Sequence, residues 1–282
     1  MRLATWNVNS LGARLPFVLE WVEAHDPDVL CMQETKLADD AFPFASFAKL
    51  GYEAAHHGDG RWNGVAVASR IGLEDPVCGM ASEEDDHGCR MLAATCGGIR
   101  VHSVYVPNGR SLDSEQYRHK LAWLARLRAY LVERCDPSDA VAVCGDFNVA
   151  PDDADVWDAA QFVGATHVSA PEREALQAIV DWGLEDVFRR FHPEGGIFSW
   201  WDYRAGNFHK GMGMRIDLVL LSAVVAQRCT SVAIDRDARK KSAAGHKPSD
   251  HTVVVVDIDW PMWSDAAASG ATGSSRAPGG AT

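Results

Sequence analysis

A chain of 282 residues that is 47% hydrophobic and 23% charged can bury a substantial core, which excludes a low-complexity chain and favours one large domain over two. The formal net charge of −12 excludes a surface that is basic throughout, so a polyanionic partner would have to be met by a local patch. The seven cysteines are odd in number and form no CxxC pair, which suits reduced thiols in a reducing cytosol rather than a disulfide framework or a zinc site.

The first strand, Leu3 to Trp6, follows directly on Met1-Arg2, leaving no room for a signal peptide, and no apolar run approaches membrane-spanning length. A soluble, cytoplasmic protein with no membrane partner is expected. Leu11, Leu15, Val18, Leu19 and Val22 recur at helical spacing and lead into the apolar strand Val29 to Gln33. Val65 to Ala68 forms the next apolar run. Tyr117, Leu121, Leu124, Leu127 and Leu131 predict a second long helix, followed by the strand Val141 to Cys144. Leu176, Ile179 and Val180 mark a third helix closed by Gly183, and the strands Ile216 to Leu221 and Val253 to Val256 come last. Several of these strands are apolar at nearly every position, so both of their faces must be covered. Sheets with helices outside them follow: two stacked sheets flanked by helices, or an open doubly wound sheet, which the pattern alone leaves open. The folded domain is expected to span residues 1–263. Residues 264–282 are almost entirely Ala, Gly, Ser, Thr and Pro and read as a disordered tail.

Polar groups recur where these strands end. Asn7 and Asn9 follow the first strand, Glu34 the second, Gly145-Asp146-Phe147-Asn148 the strand from Val141, and Pro248-Ser249-Asp250-His251 precedes the last. Asp217 sits within an apolar strand, where an unpaired carboxylate is costly. Together these acids, amides and an imidazole read as one polar pocket. Singly, Glu34 reads as an exposed or capping carboxylate, Tyr105 as a half-buried strand aromatic, and Trp200 and Met214 as core. Arg236, Arg239, Lys240, Lys241 and Lys247 form a local basic run opposed only by Asp237, beside the candidate pocket. It is the expected phosphate clamp of an otherwise acidic protein.

Seven short motifs carry a resemblance: Trp6-Asn7-Val8-Asn9-Ser10-Leu11, Gln33-Glu34-Thr35-Lys36, Tyr105-Val106-Pro107-Asn108, Gly145-Asp146-Phe147-Asn148, Phe198 to Arg204, Met214-Arg215-Ile216-Asp217 and Pro248-Ser249-Asp250-His251. In this order, from about Met1 to Asp259, the chain resembles bacterial exonuclease III, of the endonuclease, exonuclease and phosphatase superfamily. The resemblance implies a four-layer α/β sandwich of two stacked mixed β-sheets flanked by helices, like deoxyribonuclease I, with residues 1–263 as the catalytic domain. It implies a DNA repair nuclease that incises abasic sites, degrades duplex DNA from 3′ to 5′ and removes 3′ blocking groups. Glu34, Asp250 and Asn9 would hold Mg²⁺, or Mn²⁺ in its place, since their hard oxygen donors suit those ions rather than zinc.

By the same resemblance Asp146 activates water and is oriented by Asn148, with His251 as the other candidate base. His251, paired with Asp217, holds a phosphate oxygen, and Asn7 and Tyr105 complete the phosphate environment. Trp200, Met214 and Ile216 would line a small apolar pocket for a base-free sugar, with Asn108 and Arg90 as further DNA contacts. The implied partner is double-stranded DNA, at abasic sites and 3′ ends, met by a monomer associated with the nucleoid. Two other readings are a phosphoinositide or other phosphoester phosphatase of the same superfamily, and a catalytically inactive binding module, which would require lost ligands.

Overall fold

Residues 1–80, 88–242 and 244–261 are described by the computed structural model; the expected tail lies outside them. The chain order of strands is β1 (Arg2–Asn7), β2 (Val29–Gln33), β3 (Glu53–His57), β4 (Val65–Ser69), β5 (Glu74–Cys78), β6 (Met91–Cys96), β7 (Ile99–Tyr105), β8 (Val141–Asp146), β9 (Leu184–Asp186), β10 (Asp217–Ser222), β11 (Cys229–Asp235) and β12 (Val253–Ile258). They form two six-stranded sheets, in the orders β11-β12-β1-β2-β4-β3 and β5-β6-β7-β8-β10-β9. Both sheets are mixed in the same way. A parallel pair, β1 with β2 and β7 with β8, lies at the centre of each and is flanked by antiparallel partners.

The two-residue period of the strands sorts their side chains between two interfaces. Leu3, Cys31 and Val67 of the first sheet pack against Val101, Cys144 and Val219 of the second, forming the core between the sheets. The alternate residues Ala4, Trp6, Leu30 and Met32 turn outward onto Phe17, Val18, Trp21 and Val22 of helix α1 (Leu11–His25). On the far side, Val104 and Val143 meet Trp123, Leu124, Leu127 and Leu131. These belong to α3 (Glu115–Arg134), which with α4 (Ala170–Val180) covers the second sheet, as α1 and the short α2 (Phe44–Lys49) belong with the first. The two stacked sheets expected from the apolar strands are therefore present, and the doubly wound alternative is not. No disulfide joins any of the seven cysteines, and four of them, Cys31, Cys96, Cys144 and Cys229, are buried.

The topology also places the polar groups. In each sheet the parallel pair ends at one edge, so Asn7 closes β1, Glu34 follows β2, Tyr105 closes β7 and Asp146 closes β8. Their antiparallel partners start there: Asp217 opens β10 directly opposite Asp146, and Asp250 and His251 lie one residue short of β12, before Thr252. Gly145 permits this close approach. Its φ is +148°, and a Cβ on it would stand 1.9 Å from the carbonyl oxygen of Val104 in β7.

Candidate active site

Asp146 is the centre of the cluster. It is buried, and burial of its charge, with Asp217 and Glu34 nearby, raises its pKa to about 7 although His251 and the Asn7 amide oppose the rise. The Asn7 side chain donates to Oδ2 of Asp146 and to Oε1 of Glu34, each at 2.9 Å. Asn148 donates its backbone N–H to Oδ1 of Asp146 at 2.9 Å and its side-chain amide to Oδ2 at 3.2 Å. One carboxylate is thus fixed by three amide donors.

Across from it stands His251. Its Nδ1 donates to Asp217 at 2.9 and 3.1 Å, and its Nε2 lies 3.8 Å from Oδ2 of Asp146. Burial works against the imidazolium, but Asp217 and Asp146 outweigh it and raise its pKa to about 10. Asp217 is positioned in turn by Ser199, whose hydroxyl accepts the backbone N–H groups of Ile216 and Asp217 at 3.1 and 3.0 Å. The costly buried carboxylate expected inside this strand is therefore partnered by the histidine.

Glu34, Asp146 and His251 bring ligand atoms within 4.8 Å of one another, the one such group of His, Cys, Asp or Glu among the described residues. Oxygen donors converge beside it. The Lys36 ammonium bridges Oε2 of Glu34, at 2.9 Å, and Oδ1 of Asn9, at 2.7 Å. Asn9 donates to Oδ1 of Asp250 at 2.8 Å, and Trp200 Nε1 donates to Oδ2 of Asp250 at 3.1 Å. Burial alone would raise the pKa of Asp250, but His251, Asn9 and Trp200 hold it below the usual carboxylate value. A position where an ammonium is already gripped by carboxylate and amide oxygens fits a hard cation.

Tyr105 is buried, with Arg90 stacked 4.5 Å over its ring. Burial and the charge of Glu34 push its phenol well above its ordinary pKa, so it stays a neutral donor. Asn108 is exposed but tied to the site, donating to Oδ1 of Asn148 at 3.1 Å. Trp200 and Met214 exchange backbone hydrogen bonds at 2.9 and 3.0 Å. Met214 and Ile216, however, are buried with Ala150 and Val156 in an apolar cluster, with Trp200 half-buried at its margin. The expected apolar wall is assembled, but it is Trp200 that presents surface.

The basic run divides. Arg239 is buried: its guanidinium donates to the Asp250 and Trp201 carbonyls and lies 4.8 Å from the Tyr203 ring. It supports the loop and is not free to clamp phosphate, whereas Lys240, Lys241 and Lys247 are exposed.

Sequence reasoning gave no role to Lys36 and passed over the support beneath the site. Lys120 of α3 is fully buried, ion-paired with Glu172 of α4, and donates to the Asn148 carbonyl at 2.6 Å. Its signal was its place, three residues after Tyr117 on the apolar face of the helix, where a lysine requires a partner. Arg215, inside the motif that carries Asp217, is also structural: it is buried against Asp155 and Asp186 at 2.6 and 2.8 Å.

The backbone at this edge is strained. Asn9, Ser10, Glu34, Lys36 and Asn148 all have positive φ, between 43° and 86°. Such conformations persist where surrounding structure overdetermines them, and they gather at functional sites.

Residues 4–251 match the family described as Endonuclease/Exonuclease/phosphatase family. The chain belongs to that family. Among relatives of this endonuclease/exonuclease/phosphatase protein, exodeoxyribonuclease III of Haemophilus influenzae is 34% identical over 278 residues, covering 94% of this chain and 99% of the relative. An AP endonuclease from Archaeoglobus fulgidus superposes with a TM-score of 0.87 at 38% identity, over 92% of this chain and 99% of the other. A 3′ phosphatase from Neisseria, solved bound to a product DNA hairpin, gives 0.87 and 38% over 92% of this chain and 100% of the other. The four-layer fold expected from the sequence motifs is thus the fold these proteins share.

Proposed function

We propose that this protein is a metal-dependent DNA repair nuclease, hydrolysing phosphoester bonds at abasic sites and 3′ ends of double-stranded DNA. The observation that carries this reading is the buried Asp146, held by Asn7 and Asn148 and facing the His251–Asp217 pair, with Glu34 beside it. It is a phosphodiester hydrolase by family, and exodeoxyribonuclease III, AP endonuclease and 3′ phosphatase are the names its relatives bear. Cysteines joined by no disulfide suit a cytosolic working place, with the nucleoid as the source of substrate. A monomer suffices, since every proposed site residue comes from one chain.

In this reading Asp146 takes the proton of the attacking water, and its three amide donors fix which lone pair faces that water. His251, kept as the cation by Asp217, donates to a non-bridging phosphoryl oxygen as charge accumulates on it. Tyr105, too weak an acid to ionise, donates a hydrogen bond to the leaving oxygen, and Asn7 joins it in the phosphate environment. Glu34, Asp250 and Asn9 would hold Mg²⁺ or Mn²⁺, which supplies positive charge to the phosphoryl and leaving oxygens. Lys36 would then release the oxygens it bridges. Asn108 and Arg90 contact flanking phosphates, and Trp200 holds the sugar against the wall built by Met214 and Ile216.

Purified protein assayed on an abasic duplex, a 3′-phosphate duplex and a recessed 3′ end tests this. Turnover by the wild type should vanish with EDTA, and Glu34→Ala and Asp146→Asn should each lower it by at least about 10²-fold while the fold is kept. Near-normal turnover by either folded variant, or hydrolysis of a phosphoinositide with none of DNA, would overturn the reading.

A further inference from the structure

A cavity of about 540 Å³ opens beside the candidate site, lined by Arg14, Tyr203, Phe208, Lys241, Lys247 and Pro248, among others. It is close to the chemistry by covalent and hydrogen-bonded links. Pro248 precedes Ser249 and Asp250, the Tyr203 hydroxyl donates to the Pro248 carbonyl at 2.9 Å, and Arg14 donates to the Asn9 carbonyl and, at 2.8 Å, to the Tyr203 hydroxyl. Its lining carries five cations, Arg14, Arg239, Lys240, Lys241 and Lys247, against one carboxylate, Asp202, in a protein of net charge −12. Lys240 is paired with Asp237 and Asp202 with Arg204, but Lys241 and Lys247 are exposed and, among the described residues, no ion pair engages them. Arg14 also has a buried Nε with no hydrogen-bond partner among the described residues.

These cations ring a concavity rather than a flat surface, and that decides the occupant. A duplex backbone passing over the protein needs cations alone, and a duplex about 20 Å wide cannot enter a cavity of this size. One nucleotide can. Tyr203 is 49% exposed, and Arg239 lies against its ring, leaving an aromatic surface on which a base can stack. We infer that this cavity holds an unpaired nucleotide within a few positions of the scissile phosphate, its base on Tyr203 and its phosphate between Lys241 and Lys247. The inference rests on the nuclease reading and adds a preference for frayed, gapped or recessed ends over fully paired DNA. It requires Lys241 and Lys247 to supply charge and Tyr203 to supply the stack.

The test uses the full chain carrying Asp146→Asn, so that DNA persists during binding. 2-Aminopurine is placed in turn at each unpaired position of a recessed-end duplex, and its fluorescence and the affinity for recessed and blunt duplexes are read. Binding should quench the probe at one or two positions. Tyr203→Phe, which keeps the ring, should retain the quench. Tyr203→Leu should abolish it and lower the recessed-to-blunt affinity ratio by about tenfold. Lys241→Gln with Lys247→Gln changes exposed residues only, so this variant folds, and it should lower the same ratio by about threefold or more. Quenching at no position, quenching that survives Tyr203→Leu, or equal losses on recessed and blunt DNA would overturn the inference. Failure of the nuclease reading would show separately, as absence of hydrolysis by the wild type on all three substrates.

Discussion

Asp146 and His251 face each other with opposite demands on their protons. The proposed base must be ionised and the proposed phosphate donor must be charged; burial raises the pKa of Asp146 to about 7, while for His251 the carboxylates of Asp217 and Asp146 outweigh burial and raise it to about 10. The rate of hydrolysis should therefore be bell-shaped, rising tenfold per pH unit on the acid side to a limb near 7 and falling on the alkaline side near 10. These limbs belong to the coupled pair. More Mg²⁺ should move the acid limb to lower pH, because positive charge beside Glu34 favours the Asp146 anion. Replacing Asp217 by Asn removes the main support of the imidazolium and should bring the alkaline limb down toward the ordinary histidine value. A pH–rate profile that is flat between 6 and 9 in the wild type, or an alkaline limb unmoved by Asp217→Asn, would exclude these assignments. Stability follows the same shifts: a group whose pKa is raised by folding binds its proton more tightly in the native state, so both groups tilt stability downward with rising pH. Asp146 does so between its ordinary 3.8 and about 7, and His251 between 6.5 and about 10.

At the scale of elements, legibility followed periodicity. The helices around Leu15, Leu124 and Ile179 and the strands from Leu3, Val29, Val141 and Val253 were readable because their apolar residues repeat at helical spacing or run unbroken. β5, exposed along its length, and the three-residue β9 carry no such pattern, since edge strands bury too little to enforce one. The site residues were legible because they fall at strand ends within short motifs, whereas Lys120 and Glu172 act from helices and have no local motif. Their pair ties α3 to α4 beneath the site. Lys120 holds the Asn148 carbonyl at 2.6 Å, and Asn148, at φ +51°, orients Asp146. Lys120→Met leaves Glu172 as an unpaired buried charge and should destabilise the protein by about 3–5 kcal/mol. Lys120→Met with Glu172→Gln removes both charges and should recover much of that loss. Urea unfolding of the two variants measures it, and equal midpoints would mean that the ion pair is not what Lys120 contributes.

Over the whole molecule, an excess of twelve negative charges has to coexist with a polyanionic substrate. Screening resolves this. At physiological salt a charge is felt over a Debye length of about 8 Å, so the potential at the site mouth is set by the residues there and not by the total. The mouth is basic where Lys241 and Lys247 stand, and Arg239, bound into the loop by the Asp250 and Trp201 carbonyls, contributes structure instead of a free contact. Each phosphate contact adds about 0.9 to the slope of log affinity against log salt, so changing Lys241 and Lys247 to Gln should flatten that slope by up to about 1.8. Arg239→Gln should behave differently. It removes a buried group stacked between Tyr203 and Phe208, and should lower thermal stability while changing the slope little. Duplex affinity from low to physiological salt, with melting temperatures in parallel, separates the two. If Arg239→Gln flattened the slope as much as the lysine pair, the buried arginine would be reaching phosphate after all, and the loop would have to move to let it.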